Sequence, residues 1–263
     1  MVYTSHAGQP RCAVVLAAGL GTRLAPLTTL RPKPLCPIGN STPLDDALTR
    51  AGSLQVAVNA SWLADQVREH VGDRAHISHE PTPLGTAGAI GKLNDWIDGR
   101  DVTIYNADAY IRGEIPDLDA EAITVDGRSA DPDEPILLVV RDDERGDFGP
   151  WRFIGISHLP AKYAAKLQAV PSGLYAEVWR KAATRGRLQL VPFHGTFYDC
   201  GTPRDYLMAN LHASGGASVV GHGADVQGQL TRSVVWPDSY VGPKEHLIET
   251  IRAGDLTVTT IEA

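Results

Sequence analysis

Aromatic residues are scarce in this 263-residue chain, at 6%. No apolar run approaches the roughly 20 residues that cross a bilayer, so a membrane partner is not expected. Cysteine is scarcer still. Cys12, Cys36 and Cys200 are odd in number, far apart and without C-x-x-C spacing, which argues against a disulfide framework or a zinc site and for reduced thiols. Positive charge is in deficit: 24 Lys and Arg stand against 31 Asp and Glu, a formal net charge of −7. A net anion is not drawn to nucleic acid or to an anionic membrane surface, so neither is an expected partner. The opening residues MVYTSHAGQPRCAVVLAAG lack the charged start and cleavage pattern of a secretion signal, and a cytoplasmic setting is expected. What remains is ordinary for a globular protein, 43% hydrophobic and 21% charged. The length suits one large α/β domain or a domain with an appendage.

The first half alternates apolar runs with helical patterns. Residues 11–17 (RCAVVLA) form a continuous apolar run into a glycine loop, the pattern of a buried parallel strand. Strands are expected at 54–58, 75–78 and 102–105, and later at 136–140, 152–156 and 188–192. A helix is expected after Ser61 as its cap, with Leu63, Val67 and Val71 on one face. Further helices are expected over 86–97, 161–169 and 173–184. Another opens at Thr202-Pro203-Arg204-Asp205, with a hydroxyl cap, a first-turn proline and a carboxylate three residues on. The turn-rich stretch 126–135 reads as an exposed connection. Alternating strands and helices imply right-handed βαβ units in a mostly parallel mixed sheet with helices on both faces. Ligands on such sheets bind beyond the carboxyl ends of the strands.

Composition changes after Ser214. Residues 218–242 (SVVGHGADVQGQLTRSVVWPDSYVG) space small and branched residues about six apart, as in one or two turns of a left-handed β-helix. An irregular β-rich tail packed on the main domain would read the same way. The expected division is a domain over 11–213 and a short extension over 214–263.

The loop Leu16-Ala17-Ala18-Gly19-Leu20-Gly21-Thr22-Arg23 follows the first strand directly. Glycines there let backbone N–H groups approach phosphate oxygens. A tight turn would use the same residues. A dinucleotide fingerprint needs a third small residue where Leu24 sits, and a P-loop needs G-K-[ST]; both are absent. Ten residues beyond Arg23, Lys33 stands between Pro32 and Pro34, which are expected to hold it extended rather than helical. A fixed guanidinium and an ammonium beside an amide nest suit a triphosphate.

The segment LAAGLGTRLAPLTTLRPKPLCPIG resembles the N-terminal motif of the sugar-1-phosphate nucleotidylyltransferases, which make nucleoside-diphosphate sugars. Glu80-Pro81-Thr82-Pro83-Leu84-Gly85-Thr86-Ala87-Gly88 resembles the family's base-binding PLGTAG loop, and Asn106-Ala107-Asp108 its metal-binding strand end. The segment Phe197-Tyr198-Asp199-Cys200-Gly201-Thr202-Pro203 resembles its second carboxylate. The four segments come in the family's order.

The resemblance implies a Rossmann-like nucleotidyltransferase fold with a vestigial β-helix tail. It implies transfer of a nucleotidyl group from an NTP, GTP or UTP, to a sugar-1-phosphate, with self-association left open. Arg23 and Lys33 are then the catalytic cations. Leu16, Ala17, Ala18, Gly19, Gly21, Thr22, Glu80, Pro83, Gly85 and Thr86 bind nucleotide, and Asp108 and Asp199 hold Mg²⁺. Two facing carboxylates repel, so Asp199→Asn is expected to leave the apo protein as stable or more so. Glu80 at the family's base-reading position suits guanine N1 and N2, or less fully uracil or thymine, which tilts the reading to mannose-1-phosphate with GTP. Backbone groups near Gly85 could do that reading instead. The E-K-P segment that many members use on the sugar is absent here, leaving Gly149, Trp151 and Glu177 as sugar-contact candidates. His194 and Cys200 read as structural. Alternatives are transfer from UTP or dTTP to an N-acetylmuramate or hexose phosphate, transfer to choline phosphate, or a regulatory homologue that holds a nucleotide sugar without turnover.

Overall fold

Residues Arg11–Leu16 form strand β1, with Cys12, Ala13, Val14 and Val15 fully buried. A strand apolar on both faces must lie inside a sheet covered on both sides. The computed structural model, which describes residues 11–116, 118, 123–124 and 135–260, puts it there. Almost all of the turn-rich stretch 126–135 lies outside the described residues.

The neighbours of β1 are β2 (Gln55–Ala60) and β4 (Asp101–Asn106), both parallel to it, and β3 (His76–His79) extends the parallel half beyond β2. After the ribbon strand β5 (Ala109–Arg112) and β6 (Ile123–Thr124), β7 (Ile136–Asp142), β8 (Trp151–Leu159) and β9 (Leu188–Pro192) complete a sheet in the order β3-β2-β1-β4-β8-β7-β9-β6. Strand β8 runs antiparallel between β4 and β7, so the sheet is mixed, with a parallel half carrying the first four strands. The expected α/β class and mostly parallel pattern match; the strand 188–192 coincides with β9, and the other strand ends fall within three residues of their expected places.

The helices are shorter than their patterns. Helix α1 (Pro43–Ala51) leads into β2. Helix α2 (Ala64–Val71) starts after Leu63, which takes a left-handed conformation at its head, so Ser61 does not cap it. The expected helix 86–97 divides into α3 (Gly85–Lys92) and α4 (Asn94–Ile97), and 161–169 shrinks to α5 (Ala161–Ala164). The stretch 173–184 is a π-helical turn Tyr175–Trp179 running into α6 (Arg180–Ala183). Helix α7 (Pro203–Ala213) is capped as its sequence requires: the Thr202 hydroxyl accepts from the Asp205 amide.

The chain divides into two compact units. The first runs through Gly19 and takes in Ala47–Ala107 and Ile111–Thr196; the second comprises Leu20–Asp46, Asp108–Tyr110 and Phe197–Ala263. The boundary expected near residue 213 therefore falls inside the second unit. That unit packs Leu24, Leu27, Cys36 and Ile38 from its first segment with Tyr110, with Tyr206 and Leu211 of α7, and with Val234, Trp236 and Ile251 of the tail. The tail is a stack of short parallel strands. Val219 and Val220 pair with Val234 and Val235, which pair in turn with Ile251 and Arg252; Asp225 pairs with Tyr240 and Gln229 with His246. One circuit of the chain separates each pair, which is β-helix-like coiling. The antiparallel strand Leu256–Thr259 ends it.

Candidate functional site

Both cations and both carboxylates expected from the sequence lie in the second unit. Lys33 opens a 3₁₀ turn, Lys33–Leu35, after an extended Pro32. The expectation of a wholly extended lysine is thus corrected: Pro32 holds the entry and Pro34 sits inside the turn. The Lys33 stem is buried, its side chain only 8% exposed, while Asp108 is 48% and Asp199 30% exposed. Its Nζ lies 3.2 Å from Asp108 Oδ2 and 3.7 Å from Asp199 Oδ1. Arg23 Nη2 reaches Asp199 Oδ2 at 3.8 Å from a largely exposed position.

Rings bring the two aspartates together. Tyr110, two residues after Asp108, packs on Tyr198, one residue before Asp199, with centroids 6.2 Å apart, and both meet His212 of α7. Gly201 completes the corner, because a Cβ there would stand 2.7 Å from Arg23 Nη2 and 2.9 Å from Asp199 Oδ1. Nothing in the sequence marked Tyr110 or His212. A buried ammonium between two carboxylates removes the repulsion expected of facing aspartates, so each aspartate stabilises the lysine.

The donor set fits Mg²⁺. Among the described residues no cluster of three or more His, Cys, Asp and Glu could hold a metal unaided. Mg²⁺ commonly takes only one or two carboxylates and completes its shell with phosphate oxygens and water. Asp108 and Asp199 offer that pair, partly open to solvent.

The glycine loop divides in role. The Leu16 carbonyl accepts from the Ala107 amide, and the Ala17 amide donates to Asn59 Oδ1 at 2.7 Å. Ala17 and Ala18 are buried. The Leu16 carbonyl and the Ala17 amide therefore brace the loop, so the Ala17 amide is not the group offered to a phosphate. Gly19 has open space where a side chain would be, and Gly21 takes the left-handed conformation that starts the 3₁₀ turn Thr22–Leu24. Gly19 is thus open to a phosphate, whereas Gly21 packs against Thr28 and Lys33.

Glu80 is fully buried. Its Oε1 accepts from Asn59 Nδ2 at 2.9 Å and its Oε2 from the Leu84 amide at 2.8 Å. With no exposed surface it offers no oxygen to a base, so direct base reading is corrected to a loop-shaping role. Asn59 was not expected from the sequence. The signal available was an amide side chain next to the last residue of β2, in a buried run that follows the exposed Gln55.

The loop beyond Glu80 is fastened from its other side. The Ala87 amide donates to the Ser172 carbonyl at 3.0 Å, the Ser172 amide to the Leu84 carbonyl at 2.9 Å, and the Leu174 amide to Thr86 Oγ1 at 2.8 Å. Helix α3 presents Gly85, Gly88 and Gly91 to this strap, where a Cβ would fall within 2.5 Å of Ser172, Val170 or Gln168 backbone atoms. Gly85 is exposed and Pro83 partly so, which leaves backbone near Gly85 for recognition.

The sugar-contact candidates gain little. Trp151 packs against the main core and, with Phe148, brackets the turn containing Gly149. Glu177 pairs with Lys181 at 3.0 Å on an exposed helix face. The three thiols are free and buried. Burial pushes Cys36 and Cys200 up to about 12 and Cys12 to about 11, so none is a nucleophile at neutral pH.

A parallel half-sheet flanked by helices, with a glycine loop after its first strand, defines the class as α/β. More narrowly, the chain belongs to the nucleotidyl transferase family, whose model matches residues 12–151. It is 26% identical to mannose-1-phosphate guanyltransferase beta-A of Xenopus laevis, over 74% of this chain and 62% of that protein. It is 33% identical to N-acetylmuramate alpha-1-phosphate uridylyltransferase of Neisseria meningitidis serogroup B, over 36% of this chain and 46% of that protein. The chain thus spans somewhat under two thirds of the length of the curated relatives it matches. Its fold matches the crystal structure of a mannose-1-phosphate geranyltransferase from Thermus thermophilus at a TM-score of 0.67 and 17% identity, covering 94% of each chain. No helix among the described residues is long and apolar enough to cross a membrane.

Proposed function

We propose that the protein transfers a nucleotidyl group from an NTP to a sugar-1-phosphate, forming a nucleoside-diphosphate sugar and pyrophosphate. The observation that carries this reading is Lys33 between Asp108 and Asp199, with Arg23 on the outer carboxylate. A sugar-phosphate oxygen attacks the α-phosphorus in line, one O–P bond forms as the bond to the β-phosphate oxygen breaks, and pyrophosphate carries away the electron pair. Positioning and charge stabilisation suffice for such a transfer, without a covalent enzyme intermediate. Arg23 and Lys33 offset charge on the transferring phosphates, and open amides beyond Gly19 receive the triphosphate. Mg²⁺ held by Asp108 and Asp199 would supply further charge neutralisation between the phosphates.

We favour guanylyl transfer to mannose-1-phosphate. With Glu80 turned inward, support for that choice comes from the guanyltransferases among the relatives rather than from a base contact. Uridylyl transfer to an amino-sugar phosphate is supported by the shorter match to the uridylyltransferase. A complete set of charged residues supports turnover over mere retention of a nucleotide sugar, and free buried thiols support a reducing, cytoplasmic setting. The test is pyrophosphate release from each of four NTPs and dTTP against a panel of sugar-1-phosphates and choline phosphate. Release with GTP and mannose-1-phosphate above all other pairs is the expected result. Release with no pair would overturn the enzymatic reading.

A further inference from the structure

We propose that Asn59 and Glu80 are positioning residues that form a buried strut between the glycine loop and the base loop, a role that rests on the nucleotide site proposed above. Three hydrogen bonds in series make the strut. The Ala17 amide donates to Asn59 Oδ1, Asn59 Nδ2 donates to Glu80 Oε1, and the Leu84 amide donates to Glu80 Oε2, at 2.7, 2.9 and 2.8 Å. Asn59 is 3% and Glu80 0% exposed. At one end stands the head of the loop that carries Gly19; at the other stands the residue before Gly85 and Thr86. The middle of the strut touches no solvent, so water cannot replace a lost bond, and an unmatched donor or acceptor there forces the loops apart. Fixing that spacing places the base pocket relative to the phosphate loop, and a nucleotide must satisfy both at once. The carboxylate at position 80 thereby affects the choice of nucleotide without touching it.

The chemistry of the strut supplies its own test, because an amide and a carboxylate can exchange places. Glu80→Gln sets a donor against a donor at one junction. Asn59→Asp sets a carboxylate against a carboxylate. The double variant restores every bond. Its carboxylate, now at position 59, accepts from the Ala17 amide and from the side-chain NH₂ at position 80. The side-chain carbonyl at position 80 then accepts from the Leu84 amide. Each single variant is expected to weaken binding of fluorescently labelled GTP or UTP, and to lower kcat/KM for the NTP, by about 10- to 100-fold. The double variant is expected within about threefold of wild type. Should buried like charges prevent Asn59→Asp from folding, Glu80→Gln alone and the double variant still make the comparison. Amide hydrogen exchange without ligand gives a second readout: protection at Ala17 and Leu84 falls in Glu80→Gln and returns in the double variant.

A double variant as weak as Glu80→Gln would show that the carboxylate itself meets the base and would overturn the strut. Lower melting temperatures with unchanged nucleotide affinity in the single variants would reduce both residues to fold stability alone. Wild type that binds labelled nucleotide but releases no pyrophosphate would remove the catalytic reading and leave the strut standing. Wild type that binds no nucleotide would remove both.

Discussion

Lys33 is the residue on which the second unit's chemistry turns. A buried ammonium stays in place only if its charge is met, and here two carboxylates meet it from a more open position. Lys33→Met should abolish measurable turnover. Arg23→Ala should lower it by on the order of 10²-fold, the scale for one lost charge-stabilising donor, with the fold intact because Arg23 is largely exposed. Steady-state rates on purified variants check both, and near-normal turnover in Arg23→Ala would make it a surface residue. Asp108→Asn and Asp199→Asn should each raise the Mg²⁺ concentration for half-maximal rate. The apo protein should become slightly less stable in Asp199→Asn, by about 1 kcal/mol for a partly exposed pair, since Lys33 loses a partner. The sequence alone suggests the opposite sign, because it shows two aspartates and not the lysine between them. Denaturant unfolding of the two asparagine variants decides the sign.

At the scale of elements, one phenol links the tail and α7 to the segment behind Lys33, beside Asn210 of α7, which donates to the same Pro37 carbonyl and accepts from the Gly39 amide. Tyr206 is fully buried; its hydroxyl accepts from Trp236 Nε1 at 2.9 Å and donates to the Pro37 carbonyl. Tyr206→Phe keeps the ring and leaves both partners short of a bond, so it should cost about 1–3 kcal/mol in chemical unfolding. On α3, Gly88→Ala would drive a methyl to 2.3 Å from the Val170 carbonyl. Thermal stability and NTP affinity should fall together, because the strap and the base loop must both give way. These elements also mark what the sequence conveyed. Strands β1, β2, β4, β7 and β9 were legible because each is a short apolar run bounded by turns, and the α7 start because its cap is local. The strap against α3 was not legible: its partner segment lies some eighty residues downstream and makes its bonds through backbone groups, which leave no side-chain pattern. The strut was half legible. Glu80 stood in a family motif, but its inward orientation depends on Asn59, whose role only the folded chain reveals.

For the whole molecule, the buried phenols and thiols set an alkaline limit. Cys12, Cys36 and Cys200 are raised by burial to about 11 or 12 from 9.0, and Tyr206 and Tyr105 are likewise raised. Between about pH 9 and 12 the unfolded chain gives up protons that the folded chain keeps, so the stability these groups contribute is fully present below pH 9 and is lost above it. Denaturant midpoints across that range should show the slope, and Cys200→Ala should make it shallower. Iodoacetamide should label none of the thiols at pH 7.5 until denaturant is added.

The second unit draws on three stretches of chain that are far apart in sequence. During synthesis Leu24, Leu27 and Ile38 emerge early, yet the core they join needs Trp236 and Ile251. At ordinary elongation rates of about 5–20 residues per second, that interval is on the order of ten seconds or more. Through it the nascent protein carries an uncovered apolar segment, and Arg23 and Lys33 wait without Asp199. Ribosome-bound chains stalled before residue 197 should therefore attract chaperones through the segment beginning at Leu20, and the earliest-made part of the proposed phosphate site is among the last to close.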